Sequence, residues 1–359
     1  MAGFEYGNAR LRAMKSRLLA RGDYQALAGS DTLERLLTAL TRTPYQAAVE
    51  ATLVRGGELV AISAAFSHDL LATVRRIRGF FEEPECQAVA IALRMYDVHN
   101  VKAILRGLDN KVPPNEIRSA QLPAGDLSED VLAELAQAPD PRAAVDLMAS
   151  LRIPLARPLV RARAEHPSAE ILELELALDR WYFEGAFAEL GDGLPGAACL
   201  KDALALEADL INLLTVLRLA HTPSDTPLLL ERFHAGDLRD LWVGPGRLSF
   251  DVLAHAASQP SLEGAVKSLE DTPYGAVLAS GLDAYRRSHL LSDLERRLLR
   301  HRLHWRAGLI RQDPLGIGVL LGYLALKINE IGNLRWVAHG INNGLPADRL
   351  MEGLELVDE

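Results

Sequence analysis

Tyr96-Asp97-Val98-His99-Asn100-Val101-Lys102-Ala103-Ile104-Leu105-Arg106 decides the fold, because the chain carries this stretch three times. The second copy is Ala208-Asp209-Leu210-Ile211-Asn212-Leu213-Leu214-Thr215-Val216-Leu217-Arg218. The third is Asn329-Glu330-Ile331-Gly332-Asn333-Leu334-Arg335-Trp336-Val337-Ala338-His339. Each has an acid, an asparagine three residues on, an aliphatic residue next, and a basic or imidazole residue six after the asparagine. Self-similarity on this scale points to one supersecondary unit used repeatedly, and it outranks any single-residue motif.

On a helix, positions three, four and seven apart share a face. Around Asn100 that face holds Leu93, Tyr96, Asp97, Ile104 and Gly107. Around Asn212 it holds Ala205, Ala208, Asp209, Val216 and Leu219, and around Asn333 it holds Leu326, Asn329, Glu330, Val337 and Gly340. The pairs Asp97 and Asn100, Asp209 and Asn212, Glu330 and Asn333 thus sit on otherwise largely apolar faces. A buried amide without a partner costs roughly 1–3 kcal/mol, so each must be hydrogen-bonded. One reading makes the three pairs structural: buried polar pins bonded to each other or to facing backbone. The other makes them carboxylate–amide ligand sites for a metal or phosphate. One acid and one amide fall short of the several oxygen ligands that calcium or magnesium needs. His99 drops out of either reading, because Ile211 and Gly332 replace it.

The chain has 359 residues, enough for two or three domains, and 49% of them are hydrophobic. Aromatics are only 6%, and leucine and alanine dominate, which favours helix over strand. A net charge of −9 argues against nucleic-acid binding, which needs a basic face. One local basic run exists, Arg296-Arg297-Leu298-Leu299-Arg300-His301-Arg302, readable as a solvated helix face. Cys86 and Cys199 stand apart in no paired motif, as expected in a reducing compartment. Neither a signal peptide nor a membrane span is expected. The longest apolar run, Leu315 to Leu326, reads as a buried core helix.

In chain order, residues 5–22 begin a helix, and Asp31-Thr32-Leu33-Glu34 starts a short one reaching Thr41. Gly56-Gly57 breaks the next helix; residues 58–81, 168–189 and 199–220 are helical. Glu83-Pro84-Glu85, Pro139-Asp140-Pro141 and Arg157-Pro158 mark helix starts. His221 to Pro227 is the clearest linker. Leu262 to Tyr274 echoes Leu33 to Tyr45, and both end in Thr-Pro-Tyr. No alternating period-two run appears. The fold class is all-α, with helical units at 1–120, 121–225 and 226–359.

Other chemistry is poorly served. Gly316-Ile317-Gly318-Val319-Leu320-Leu321-Gly322 has its third glycine one position late for a dinucleotide loop, and no strand precedes it. His301 and His304 lack an acid or cysteine at ligand spacing. No Gly-Lys-Ser/Thr, no Gly-x-Ser-x-Gly and no Asp-Asp-x-x-Asp occurs. No catalytic, cofactor or metal residue is expected.

Taken together, Tyr6-Gly7-Asn8-Ala9-Arg10-Leu11-Arg12, Thr43-Pro44-Tyr45, Tyr96-Asp97-Val98-His99-Asn100, Asp313-Pro314-Leu315-Gly316-Ile317-Gly318, Glu330-Ile331-Gly332-Asn333-Leu334-Arg335 and Gly344-Leu345-Pro346 resemble one family over essentially the whole chain. It is the C subunit of archaeal and bacterial V-type (A-type) ATP synthases, counterpart of the d subunit of eukaryotic vacuolar ATPases. The resemblance implies three similar helical bundles in a pseudo-threefold, funnel-like arrangement. It implies a cytoplasmic, peripheral, non-catalytic subunit of the central stalk. In the family this subunit sits on the membrane rotor ring of proteolipid subunits, touches the membrane only through that ring, and receives the shaft of D and F subunits in a socket. It so couples proton or sodium transport to ATP synthesis or hydrolysis. A stand-alone all-α scaffold or adaptor is the other reading of the same residues.

Overall fold

The computed structural model describes residues 3–53, 59–167, 169–191, 193–222, 226–232 and 235–357. The expected break at Gly56-Gly57, and Pro223 to Asp225 of the expected linker, lie outside them. Among the described residues there is no strand, and the chain is all-α.

The helices in chain order are α1 (Glu5–Lys15), α2 (Arg21–Ala28), α3 (Leu33–Leu40), α4 (Gln46–Leu53), α5 (Leu59–Arg78), α6 (Glu85–Asp109), α7 (Pro114–Ala120), α8 (Glu129–Ala136), α9 (Pro141–Ser150) and α10 (Ala156–Glu165). There follow α11 (Ile171–Glu189), α12 (Ala197–His221), α13 (Thr226–Arg232), α14 (Phe250–Ala257), α15 (Leu262–Ser268), α16 (Gly275–Ser288), α17 (Leu291–Gln312), α18 (Gly318–Asn342) and α19 (Ala347–Glu352). The three signature copies fall on α6, α12 and α18, each 25 residues long.

The short helices begin where hydroxyl caps dictate. Thr32 accepts from Arg35 N–H at 3.2 Å, Ser128 from Val131 at 3.3 Å, Ser249 from Val252 at 3.3 Å and Ser261 from Gly264 at 3.1 Å. Each such oxygen satisfies one of the backbone donors that a helix start leaves open.

The chain divides into two compact units, one of residues 1–147, 193–196 and 306–359, the other of residues 148–192 and 197–305. In the first, α18 packs against α1, α2, α3, α5 and α19, while α6 packs on α7 and α8. Leu36, Leu40, Phe66, Leu70, Leu320 and Ile331 are fully buried there. In the second, Leu213, Val216 and Leu217 of α12 form a core with Trp242, Leu253, Tyr274, Leu294 and Leu298.

Two expectations need correction. The helix expected over residues 5–22 ends at Lys15, and a new one starts at Arg21. The intervening Leu19 gives its N–H to Glu330 Oε2 at 2.5 Å instead of to a helical carbonyl. The apolar run from Leu315 is not helical throughout, because α18 starts at Gly318 and Leu315 is 68% exposed. Its loop is fastened to α1 by Asn8 Nδ2 on Gly316 O at 2.9 Å and Arg12 Nη2 on Pro314 O at 2.6 Å. Asp313 Oδ2 takes the Gly318 N–H at 2.8 Å, so the carboxylate caps α18 and shapes the turn.

Candidate functional site

Each signature helix carries its acid and asparagine one turn apart, and all six side chains are at most 5% exposed. The asparagine does the same thing each time. Asn100 accepts from Leu122 N–H at 2.7 Å and donates to Leu122 O at 2.9 Å. Asn212 makes the same two bonds with Val243, at 2.9 and 2.7 Å. Asn333 makes them with Glu355, at 3.1 and 2.9 Å. An amide is one of the few side chains that can answer both polar groups of a single backbone residue. The partners lie 22, 31 and 22 residues further along. The pairs are therefore tethers for the segment that follows each long helix.

The acids grip the same segments nearby. Asp97 accepts from Asp126 N–H at 2.7 Å and Leu127 N–H at 3.0 Å. Asp209 accepts from Arg247 and Leu248 N–H, both at 3.0 Å, and from the Tyr274 hydroxyl at 2.6 Å. In both copies a glycine precedes the two donors. A Cβ on Gly125 would lie 2.0 Å from Asp97 Oδ1, and one on Gly246 2.1 Å from Asp209 Oδ1. Only glycine lets the backbone come that close.

The third copy departs from this plan. Arg17-Leu18-Leu19 stands where the others have Gly-x-Leu, and the acid is the longer glutamate. Glu330 takes one backbone N–H, from Leu19, and the Tyr45 hydroxyl at 2.7 Å. Lys327 Nζ lies 3.1 Å from Glu330, 2.9 Å from Asp69 and 2.8 Å from the Tyr45 hydroxyl. Among the described residues this is the one pin of the three with a buried cation beside it, an ammonium shared by two carboxylates and the Tyr45 hydroxyl.

Burial dominates the electrostatics. It raises the Asp97 carboxyl to about 6, against the lowering effect of its two backbone donors. It raises Asp209 too, there opposed first by the Tyr274 hydroxyl. Tyr45 is pushed far above the ordinary phenol range by burial and then by the Glu330 charge, so it stays a donor.

These geometries tether backbone and leave no acid or amide facing open solvent. No cluster of histidine, cysteine and acid that could hold a metal occurs among the described residues. His301 instead meets the Tyr274 ring edge-on at 5.9 Å. Gly322 comes close to Arg306 O and Ile310 of α17, where a Cβ would lie 2.8 and 2.5 Å away, so the glycine run serves packing. No helix among the described residues is long and apolar enough to cross a membrane.

A family model described as ATP synthase (C/AC39) subunit matches residues 7–353. The chain belongs to that family. Its relatives include the C subunit of the V-type ATP synthase of Deinococcus radiodurans, 27% identical over 97% of this chain and 90% of that protein. The C subunit of the A-type ATP synthase of Haloferax volcanii is 26% identical over 96% and 95% of the two chains. That of Thermococcus onnurineus is 25% identical over 97% and 89%.

In this C/AC39 chain the sequence reading missed which residues answer the acids. Thr-Pro-Tyr was visible twice, yet its link to the acid was not. Tyr274 lies beyond Asp209 in the chain, whereas Tyr45 serves an acid near the other terminus. Lys327 and Asp69 were missed because a buried ion pair looks like ordinary helix charge in sequence. Gly125-Asp126-Leu127 and Gly246-Arg247-Leu248, set against their acids, were the available signal.

Proposed function

We propose that the chain is the C subunit of a V/A-type rotary ATP synthase or ATPase. It is a cytoplasmic, peripheral and non-catalytic member of the central stalk. It couples the membrane rotor ring to the shaft of D and F subunits and does no bond chemistry. It is built from three helical units, near 1–120, 121–225 and 226–359, arranged as a pseudo-threefold funnel.

The observation that carries this reading is the threefold tether. The same acid–amide pair fastens the segment after α6, the segment after α12 and, through Leu19 and Glu355, both ends of the chain to α18. A torque-transmitting part has to be stiff, and polar groups paired in a dry interior specify one arrangement of the chain. Family membership supplies the complex in which such a body works.

Reconstitution tests the reading. Purified full-length chain is mixed with the rotor ring and with the D–F shaft, and complexes are separated by size. The reading expects one assembly holding ring, chain and shaft, and ATP-driven ion pumping that depends on adding the chain. A chain that binds neither partner is a stand-alone scaffold or adaptor instead.

A further inference from the structure

The stretch Tyr6 to Arg12, singled out in the sequence, is only partly absorbed by the fold. On α1, Gly7, Asn8 and Leu11 are buried, and Asn8 and Arg12 fasten the loop before α18. Tyr6 and Arg10 are spent on neither task. With Ala9 and Ala13 they form one exposed face of α1, and Tyr6 is 62% exposed. The Arg10 guanidinium carbon lies 5.9 Å from the centre of the Tyr6 ring and 5.4 Å from that of Phe80. The two rings meet edge-on at 6.3 Å. Among the described residues no carboxylate pairs with Arg10.

A guanidinium laid against aromatic rings is drawn to their faces, which fixes the side chain while leaving its planar N–H fork for an acceptor. Much of the rotamer freedom that a free arginine loses on binding is thus already spent at Arg10. The acid nearest to it in sequence does not answer it. Glu5 folds back over the helix start, where a Cβ on Gly3 would lie 2.4 Å from its Oε2. Arg75 and Arg76 are exposed in the last turn of α5, just before Phe80 in the chain, and neither forms an ion pair among the described residues. Of the acids that follow Phe80, Glu83 accepts from the Cys86 thiol at 2.9 Å, which leaves Glu82 against Arg10, Arg75 and Arg76. The patch is therefore basic in a chain whose net charge is −9. Tyrosine and arginine are also the residue types that most often carry the energy of a protein interface.

We propose that Tyr6, Arg10 and Phe80 form a docking point for an acidic side chain on another subunit of the rotary complex, with the partner's carboxylate on the Arg10 fork and its neighbouring apolar atoms on the Tyr6 ring. This rests on the reading of the chain as a member of that complex. Charge opposition selects the partner, since this patch attracts acidic surfaces that the chain as a whole repels. The flat guanidinium fork matches a carboxylate in two parallel bonds, which a lysine could not make. A bilayer fits less well. A helix lying in the headgroups needs a broad apolar face, and the outer face of α1 offers one tyrosine and two alanines while its leucine, Leu11, is buried in the fold.

The test compares full-length wild type with Arg10→Glu, Arg10→Lys, Tyr6→Ala and Tyr6→Phe. Circular dichroism melts check that each variant folds, and Arg10→Gln replaces Arg10→Glu if charge reversal lowers the melt. Affinity for the rotary complex lacking this subunit is measured over a salt series. Arg10→Glu weakens binding about tenfold or more and flattens its salt dependence. Arg10→Lys keeps the charge and still weakens binding, because the fork and its stacking are lost. Tyr6→Ala weakens binding, whereas Tyr6→Phe keeps the ring and binds like wild type. Arg10 variants that bind as tightly as wild type overturn this proposal alone. Arg10→Lys equal to wild type beside a weak Arg10→Glu overturns the fork and leaves only general charge attraction. Arg10 variants that keep complex binding but lose binding to phosphatidylserine vesicles also overturn the proposal and assign the patch to lipid. A wild-type chain that fails to join the complex overturns the functional reading and this proposal with it.

Discussion

Tyr45 donates its hydroxyl to Glu330 at 2.7 Å although 285 residues separate them. Tyr274 makes the same bond to Asp209 at 2.6 Å. In both, the tyrosine of a Thr-Pro-Tyr serves the acid of the copy that precedes it in cyclic order. For the third copy, the segment after α18 supplies Glu355 to Asn333, while the acid is answered by Leu19 and Tyr45 of the N-terminal segment. The N-terminal segment thus completes the structure around the last signature helix.

Removing that hydroxyl should loosen the closure. Tyr45→Phe leaves Lys327 and Glu330 buried with one partner fewer, at a cost of about 1–3 kcal/mol. Hydrogen exchange should then quicken over residues 19–45. Tyr274→Phe should instead speed exchange around residues 246–249, since its acid holds that segment. Identical exchange patterns for the two variants would refute the assignment of each tyrosine to its own acid.

The asparagines should differ in worth. Replacing any of them by leucine takes the asparagine's two bonds from its backbone partner. The Leu122 C=O keeps the Ala124 N–H at 2.7 Å and the Glu355 C=O keeps Asn329 Nδ2 at 2.7 Å. Val243 has no such substitute among the described residues. The bonds of Asn212 to Val243 are fully buried, whereas those of Asn100 and Asn333 are only partly so. Asn212→Leu should therefore lower the unfolding midpoint most, with a penalty of roughly 1–3 kcal/mol and smaller losses for Asn100→Leu and Asn333→Leu. Urea titrations of the three variants give the ranking. An unchanged midpoint for Asn212→Leu would falsify the tether.

How much of this was legible depends on range. The helical class and the polar pairs could be read locally, because Asp97 and Asn100 interrupt an apolar face at helical spacing. The break after Lys15 could not. Leu11, Met14 and Leu18 keep a helical rhythm, yet the last turn tightens at Arg17 and Leu18, and the Leu19 N–H goes to Glu330 from the far end of the sequence. Leu315 misled for a related reason. Its apolar neighbours suggest a core helix, while side chains of α1 fix its loop. The tyrosine partners were hidden by repeat order, which no local window displays.

The pins should also respond differently to pH. Asp97 has two backbone donors, no tyrosine hydroxyl, and Asp126 nearby, while Arg78 is paired with that Asp126 at 2.8 Å. Its folded value of about 6 lies above that of an unfolded carboxyl, so the folded state holds the proton more tightly. The stability Asp97 contributes is complete below the ordinary carboxylate range and is lost as pH rises through about 6. Denaturation of wild type and Asp97→Asn, compared at about pH 5 and about pH 7, should show the wild type losing more stability on the way up. Parallel losses would assign the pH dependence to other groups.

The glycines before the paired donors offer the most direct probe of the acids. Gly125→Ala would place a methyl group 2.0 Å from Asp97 Oδ1, and Gly246→Ala would place one 2.1 Å from Asp209 Oδ1. Each carboxylate is held by two N–H groups at 2.7–3.0 Å and cannot swing aside without giving them up. Charge-assisted bonds of this kind are worth more than neutral ones, so each substitution should cost about 2 kcal/mol or more. Gly332 provides the control within a signature helix. Nothing lies within 4 Å of its added Cβ, and alanine there should stabilise α18 by roughly 0.5–1 kcal/mol through helix propensity alone. Opposite signs for Gly125→Ala and Gly332→Ala in thermal melts are the expected result. If both stabilise, the close approach of loop to carboxylate does not hold Asp97 in place. Gly246→Ala carries a further expectation, because Tyr274 also bonds Asp209. The displaced carboxylate should keep the hydroxyl and release the Arg247 and Leu248 amides, which hydrogen exchange at those two positions would show.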